Sequence, residues 1–144
     1  MIVRTVLAVA AIALSIATVS AQDPIAARKA LMKANGGQAQ IGQKMARGEE
    51  PFSVEKAKTV FATYQKVATA HTLWPDTSKT GGETNSLPAI WENKADFDAK
   101  LTKLANEAKA AEGQVKDLDS FKAQFTEVQK NCGGCHQTYR KRQS

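Results

Sequence analysis

The amino-acid sequence predicts an all-α protein, an antiparallel up-and-down four-helix bundle. Apolar residues recur at steps of three and four in the segments that follow residue 23. No run alternates apolar and polar residues as a half-buried strand would. Only one connection between the helical segments is long, and helices joined by short connections pack as antiparallel neighbours.

The first 21 residues, Met1–Ala21, have the pattern of a secretory signal peptide. Arg4 is their only charge, Val6–Val19 are almost wholly apolar, and Val19-Ser20-Ala21 ends in small residues. The apolar run is shorter than the roughly 20 residues that a membrane-spanning helix needs. We therefore expect cleavage after Ala21, a periplasmic protein, and no stable membrane insertion after cleavage.

Residues 22–144 are expected to form one domain. Removing 21 of the 144 residues leaves 123, enough for a single modest core, and lowers the formal net charge from +6 to +5 because Arg4 leaves. Basic residues are interspersed with Asp and Glu and form no aromatic-interleaved basic stripe, so nucleic-acid binding is not predicted. The mildly basic balance favours docking to acidic faces of redox partner proteins.

Capping residues define the first two helices. Asp23 and Pro24 are typical of a helix start, and the first helix is predicted to continue to Arg47-Gly48. Ser53 caps the second, which Trp74-Pro75 ends. Its apolar face is predicted to contain Val54, Ala57, Phe61, Tyr64, Ala68 and His71.

The polar stretch 75–87 is the long connection, after which two further helices are predicted. The third begins at Pro88, and its apolar residues are Ile90, Phe97, Leu101, Leu104, Ala108 and Ala111. Gly113 and a short turn separate it from the last helix, which we expect to be capped near Asp119. The stripe of the last helix is Phe121, Phe125, Val128, Cys132, Cys135 and Tyr139.

The motif Cys132-Gly133-Gly134-Cys135-His136 is the Cys-x-x-Cys-His signature of covalent c-type haem attachment. Two thiols at this spacing can add to the two vinyl groups of one porphyrin, while the next imidazole binds the iron. The motif continues the apolar stripe of the last helix, so we expect one haem c per chain, lying partly inside the bundle.

Two other interpretations of the motif are weaker. A thioredoxin-type redox pair would follow a strand, and no strand-like run precedes Cys132. A structural zinc site would need His71 as the fourth ligand beside Cys132, Cys135 and His136, and such sites rarely take three ligands from five consecutive residues.

The chain resembles the cytochrome c′ family, the class II c-type cytochromes. The resemblance is carried by the haem motif at the C-terminal end of an exported four-helix chain, by Tyr139-Arg140 after His136, and by Arg28 four residues before Met32. Four further stretches look most like the low-spin, methionine-ligated branch of that family. They are Leu31-Met32-Lys33, Gly48-Glu49-Glu50-Pro51, Trp74-Pro75-Asp76 and Ile90-Trp91.

The resemblance implies a function that depends on Met32. If its sulfur binds the iron opposite His136, the haem is six-coordinate and the protein is an electron carrier. If Met32 only packs over the distal face, the iron is five-coordinate and the protein binds nitric oxide or carbon monoxide. Met32 could also be an ordinary core methionine. Met45 lies about 20 Å further along the helix, so both methionines cannot reach one iron.

The other residues of the resemblance also have two interpretations each. Arg28 either pairs with a haem propionate or is a solvated charge. Tyr139 either contacts the cofactor or completes the core stripe. Arg140 either contacts the cofactor or complements the negative C-terminal end of the last helix. His71 is a less favoured candidate for the distal ligand than Met32, since it lies on a different helix from the one that the family uses.

Three further expectations complete the sequence-based prediction. Trp74 and Trp91 flank the long connection and are predicted to fasten it to the bundle. No catalytic residues are predicted, because the chain lacks a nucleophile–base motif or a phosphate-binding loop. A homodimer is possible because dimers are common in the resembled family.

Overall fold

The structure, a computed structural model, describes residues 23–142. The predicted signal peptide and its cleavage after Ala21 lie outside the described residues. The α-helices are α1 (Pro24–Arg47), α2 (Val54–Gln65), α3 (Ala89–Glu92), α4 (Lys94–Gln114) and α5 (Leu118–Tyr139). Two 3₁₀ helices, Lys66–Leu73 and Asp76–Ser78, follow α2. Across residues 23–142 the chain is nearly all helical, which confirms the predicted fold class.

The four long helices close into a bundle in which α1 and α4 each contact both α2 and α5. Arg28 near the start of α1 and Tyr139 at the end of α5 line the same cavity. Gly42 in the second half of α1 meets Phe125 in the first half of α5. The shared cavity and the Gly42–Phe125 contact place α1 and α5 antiparallel, as predicted. Within the described range no helix is both long and apolar enough to cross a membrane.

Both ends of α1 agree with the sequence prediction. The Asp23 side chain accepts a hydrogen bond from the Ile25 backbone N–H at 2.9 Å and so satisfies one free donor of the first turn. Gly48 ends the helix at φ 73°, the left-handed conformation that glycine adopts without steric cost. This helix carries Arg28 on its second turn and Met32 on its third.

The second helix changes its winding, and the predicted apolar face changes with it. From Lys66 the chain tightens into a 3₁₀ helix, with about three residues per turn. Val67 and Ala70 are therefore buried, whereas Ala68 and His71 are exposed. The prediction that Ala68 and His71 share the buried face is wrong because it assumed α-helical periodicity to the end.

The third predicted helix is split, and the last one starts earlier than predicted. Asn93, with φ −125° and ψ 48°, separates the single turn α3 from α4. Helix α5 is capped by Asp117 rather than near Asp119. Asp117 and Ser120 form a reciprocal capping box, in which each side chain accepts a hydrogen bond from the other residue's backbone N–H at 2.8 and 3.0 Å.

The core consists of two clusters along the bundle axis. The first lies beneath the α1–α2 turn and is rich in aromatic residues, among them Phe61, Tyr64, Phe121 and Phe125. The second surrounds the motif end of α5 and contains Val67, Trp74, Ile90, Phe97, Leu101 and Tyr139. The second cluster forms the apolar wall of the candidate site.

Gly42 is required for the close contact between α1 and α5, and this gives a stability prediction. An alanine Cβ at this position would lie 2.7 Å from Phe125 Cζ and closer still to Phe125 Cε2, so the ring or a helix would have to move. We expect Gly42→Ala to lower the free energy of unfolding by about 1–3 kcal/mol, the usual cost of overpacking a core. Urea unfolding of the haem-loaded protein measures it.

Gly36 provides the matched control on the same helix. It is exposed, and an added Cβ would meet no atom within 4 Å. Gly36→Ala should therefore raise the free energy of unfolding by about 0.5–1 kcal/mol, the ordinary gain of alanine over glycine within a helix. Equal stability of the two variants would contradict the close approach at Gly42.

Candidate haem site

The Cys-x-x-Cys-His motif lies within the continuous helix α5. Cys132 and Cys135 are three residues apart, so they share a helix face, and both are half-buried. Gly133 and Gly134 between them are exposed, with no other atom within 4 Å of an added Cβ. The helix thus presents two thiols on one face and open space at the residues between them.

The electrostatic environment keeps the motif uncharged. Burial raises the pKa of both the Cys132 and Cys135 thiols. Burial, together with the nearby Arg140, lowers the pKa of the His136 imidazole. A neutral imidazole is the form that binds a metal.

A cavity of about 1100 Å³ opens beside the motif. Cavities that hold cofactors are typically mostly apolar with a few placed polar groups. Here Ile90, Phe97 and Leu101 form an apolar wall. The connection between α2 and α3 forms part of the mouth. The helix residues that bring chemistry to it are Arg28 and Met32 from α1 and Cys135, His136 and Tyr139 from α5.

The two methionines of α1 lie in different environments. Met32 is half-buried, lines the cavity and, like Cys135, packs against the second core cluster. Met45 is fully buried at 0% exposure in the other cluster, with Phe61 and Phe125. Of the two, only Met32 is brought to the cavity that His136 also lines.

Arg28 is buried, with 3% of its surface exposed, so the interpretation as a solvated charge is wrong. Its Nη1 donates to the Leu73 carbonyl at 3.1 Å and to Ser78 Oγ at 2.9 Å, and its Nη2 donates to Thr84 Oγ1 at 2.9 Å. The guanidinium lies 5.8 Å from the ring centroid of Trp74. Burial lowers the pKa of Arg28, but a guanidinium keeps its charge.

One donor of Arg28 has no partner within residues 23–142. Its Nε is buried and makes no hydrogen bond there. An unfilled donor on a buried cation is costly unless an acceptor is supplied. A carboxylate bound in the cavity that Arg28 lines would be such an acceptor.

The long connection is fastened to the bundle by both tryptophans, as predicted. Trp74 is buried and its Nε1 donates to Ser86 Oγ at 3.1 Å. Trp91 Nε1 donates to the carbonyl of Trp74 at 3.1 Å and to that of Pro75 at 3.2 Å. With the bonds that Arg28 donates to Ser78 and Thr84, these bonds hold the connection in place at the cavity mouth.

The end of α5 is joined to the same connection. Tyr139 is buried, and its hydroxyl donates to Asp96 on α4. Burial, and then this bond to a carboxylate, raises the pKa of Tyr139 to about 12. Beyond the helix, the backbones of Arg140 and Ser86 form an isolated antiparallel β-bridge. The Lys141 backbone N–H donates to the Asn85 carbonyl at 2.8 Å.

His71 is exposed and does not line the cavity. Its Nδ1 lies 3.3 Å from the Ala68 carbonyl of its own helix. In the part of the chain that the structure describes, no group of three or more His, Cys, Asp or Glu side chains is placed to hold a metal ion. The geometry therefore does not support the zinc interpretation or a distal His71.

Three residues that hold the site together have no local signal in the sequence. Ser78 and Thr84, both polar residues of the connection, bind Arg28 from 50 and 56 residues away. Asp96 accepts the Tyr139 hydrogen bond from 43 residues away. Only the tertiary contacts distinguish them from other polar surface residues.

Comparisons with known proteins agree with the site. A family model described as Cytochrome C′ matches residues 23–140. The chain belongs to the cytochrome c′ family. A cytochrome c′ of Rhodopseudomonas palustris is 42% identical over 129 residues, 88% of this chain and 87% of that protein. A cytochrome c-556 of the same organism is 31% identical over 143 residues, 95% of this chain and 96% of that protein.

Solved structures of cytochromes from the same family have the same fold. The R. palustris cytochrome c′ structure has a TM-score of 0.82 at 39% identity, covering 86% of this chain and all of that one. A structural model of oxidised R. palustris cytochrome c556 has a TM-score of 0.78 at 28% identity, with the same coverage. This member of the cytochrome c′ family thus has relatives in both branches that the sequence resembles, which confirms the resemblance.

As a c-type cytochrome of this family, the protein binds covalent haem c, and the residues present fit that group. The two thiols share one face of α5, a neutral imidazole follows them, and a cavity with apolar wall lies beside them. The unfilled Nε of Arg28 is a donor suited to a haem propionate. The roles of these individual residues remain predictions.

Proposed function

We propose that this protein is a periplasmic electron carrier whose haem iron is bound by His136 and Met32. In this proposal Cys132 and Cys135 attach the porphyrin by thioether bonds, and Arg28 binds a propionate through Nε. One observation carries the proposal. Met32 and His136 come from different helices, α1 and α5, and line one cavity, whereas Met45 is sealed in the other core cluster.

When bound, haem c supplies reversible one-electron chemistry, and a thioether ligand raises its potential. The chain's own residues hold the two ligand positions in register. Helix α1 lies against α5 at Gly42, and Arg28 ties the first turns of α1 to the connection. Apolar side chains such as Phe97 and Leu101 limit the entry of water. A site held rigid in this way suits a carrier, whose ligand set should change little between oxidation states.

Acidic side chains are scarce in the described lining of the cavity. Among the described residues that line it, Glu83 is the only carboxylate. Paired acids or a nucleophile with an adjacent base are the usual signature of hydrolytic and transfer chemistry. Paired acids do not occur along the described wall.

A second candidate function is favoured by one comparison. The relative with 42% identity is named a cytochrome c′, and the resemblance to cytochrome c′ proper implies a five-coordinate iron open to nitric oxide or carbon monoxide. In that case Met32 would be a packing residue over the distal face. The residues that attach the haem would be the same in both functions.

Optical spectra of both oxidation states, with and without carbon monoxide, distinguish the two functions. For the carrier we expect a weak charge-transfer band at the red end of the oxidised spectrum and sharp, split low-spin bands after reduction. Carbon monoxide should bind slowly or not at all, because Met32 must leave first. High-spin spectra with fast carbon monoxide uptake would refute the carrier and support the gas binder.

A further inference from the structure

Basic side chains are concentrated around the mouth of the haem cavity. The whole chain has 20 Lys and Arg against 14 Asp and Glu. The described lining of the cavity has one carboxylate, Glu83, against six cations. These are Arg28, Lys29, Lys33, Lys79, Arg140 and Lys141. Two propionates would still leave this region positive.

Four of these cations are exposed and form no salt bridge within residues 23–142, namely Lys29, Lys33, Arg140 and Lys141. Lys79 is paired with Asp76 at 2.9 Å. Around the turn between α1 and α2, at the opposite end of the bundle, three cations are paired with acids. There Lys44 and Lys56 lie 3.9 and 3.6 Å from Glu50, and Arg47 lies 3.7 Å from Glu49.

Lys29 and Lys33 also stand one turn apart on α1, where like charges repel. The arrangement therefore does not stabilise the helix. Unpaired charges of one sign around a functional cleft attract a partner of opposite charge and orient its approach. Arg28, the buried cation with the unfilled donor, is the group suited to a propionate, so the exposed cations are available to a partner.

We propose that Lys29, Lys33, Arg140 and Lys141 form a docking surface, the basic rim, for a redox protein that presents carboxylates around its own cofactor. The inference deepens the proposed carrier function and rests on it. A protein is favoured over an anionic membrane because the rim adjoins the haem cavity and its four members are all charged. Membrane-surface helices combine a basic face with large apolar side chains.

The test uses the mature haem-loaded protein and a pair of charge-matched variants. Lys29→Glu with Lys33→Glu changes the rim, and Lys109→Glu with Lys122→Glu makes the same change in net charge elsewhere. Lys109 and Lys122 are exposed, unpaired within the described part of the chain, and absent from the cavity lining. The variant with Lys29→Glu and Lys33→Glu, called the rim variant, retains Arg140 and so leaves the predicted haem contacts intact.

Stopped-flow oxidation of the reduced protein by hexacyanoferrate(III), an anion, measures the charge at the site of electron transfer. At low ionic strength the rim variant should react about tenfold more slowly than the control variant, because close charges change association rates by this order. Oxidation by the cation tris(1,10-phenanthroline)cobalt(III) should become faster. The differences should vanish at high salt.

Fluorescence anisotropy of labelled poly-L-glutamate measures binding without electron transfer. Unmodified protein and the control variant should bind the polymer, and the rim variant should bind it at least several-fold more weakly. Equal behaviour of the two variants in both assays would refute the basic rim. That result would leave the proposed carrier function standing, because the low-spin spectrum tests this function separately.

Mixed phosphatidylcholine and phosphatidylglycerol vesicles test the membrane alternative. Binding to vesicles that depends on Lys29 and Lys33, without binding to poly-L-glutamate, would also refute docking to a protein. If unmodified protein binds the vesicles no more strongly than the rim variant does, the result supports docking to a protein. The same three preparations serve all the assays.

Discussion

Met32→Leu is expected to convert a low-spin, six-coordinate haem into a high-spin one. The substitution keeps the volume of the side chain and removes its sulfur, so the effect reports ligation rather than packing. The potential should fall, because a thioether ligand raises it. Carbon monoxide should bind roughly 10- to 1000-fold faster, since an open state of a closed site is typically populated at about 0.1–10%. Optical spectra, redox titration and flash photolysis measure these changes.

Met45→Leu is the matched control for this result. Met45 is fully buried in the first core cluster and does not line the cavity. Its replacement should cost less than about 1.5 kcal/mol of stability and leave spectrum, potential and carbon monoxide kinetics unchanged. If Met32→Leu also leaves them unchanged, Met32 is a packing residue and the second candidate function stands.

Replacing both Cys132 and Cys135 by Ser is expected to abolish covalent haem attachment completely. Each thiol forms one thioether bond, so Cys132→Ser alone should retain haem through a single bond. Mass spectrometry after denaturation and acid–acetone extraction distinguishes the three states. Unmodified, correctly matured protein should keep its haem through that treatment.

The outcome for the doubly substituted protein separates attachment from binding. His136 and the cavity are unchanged, so added haem should still bind reversibly and give a spectrum. Release of the porphyrin from fully denatured unmodified protein would contradict the assignment of Cys132 and Cys135. The reversible binding then gives a second readout of the same cavity.

Local chemistry in the sequence was enough to predict much of the fold. Asp23 and Gly48 define α1 because capping and a left-handed terminus depend on residues within one turn. Where the winding departs from an α-helix, the prediction fails. The 3₁₀ segment after Lys66 buries Val67 and Ala70 instead of Ala68 and His71. No residue near that point marks the change of period.

The haem motif was determined by the sequence alone, since its five residues are consecutive and their chemistry depends on that spacing. The cavity beside them was decided by tertiary structure. Antiparallel packing of α1 on α5 brings Met32 to the motif and buries Met45, two positions that belong to one helix. Arg28 is buried because Ser78 and Thr84 reach it from the distant connection. Contacts over 50 residues depend on how helices pack, and local patterns of residues do not encode that packing.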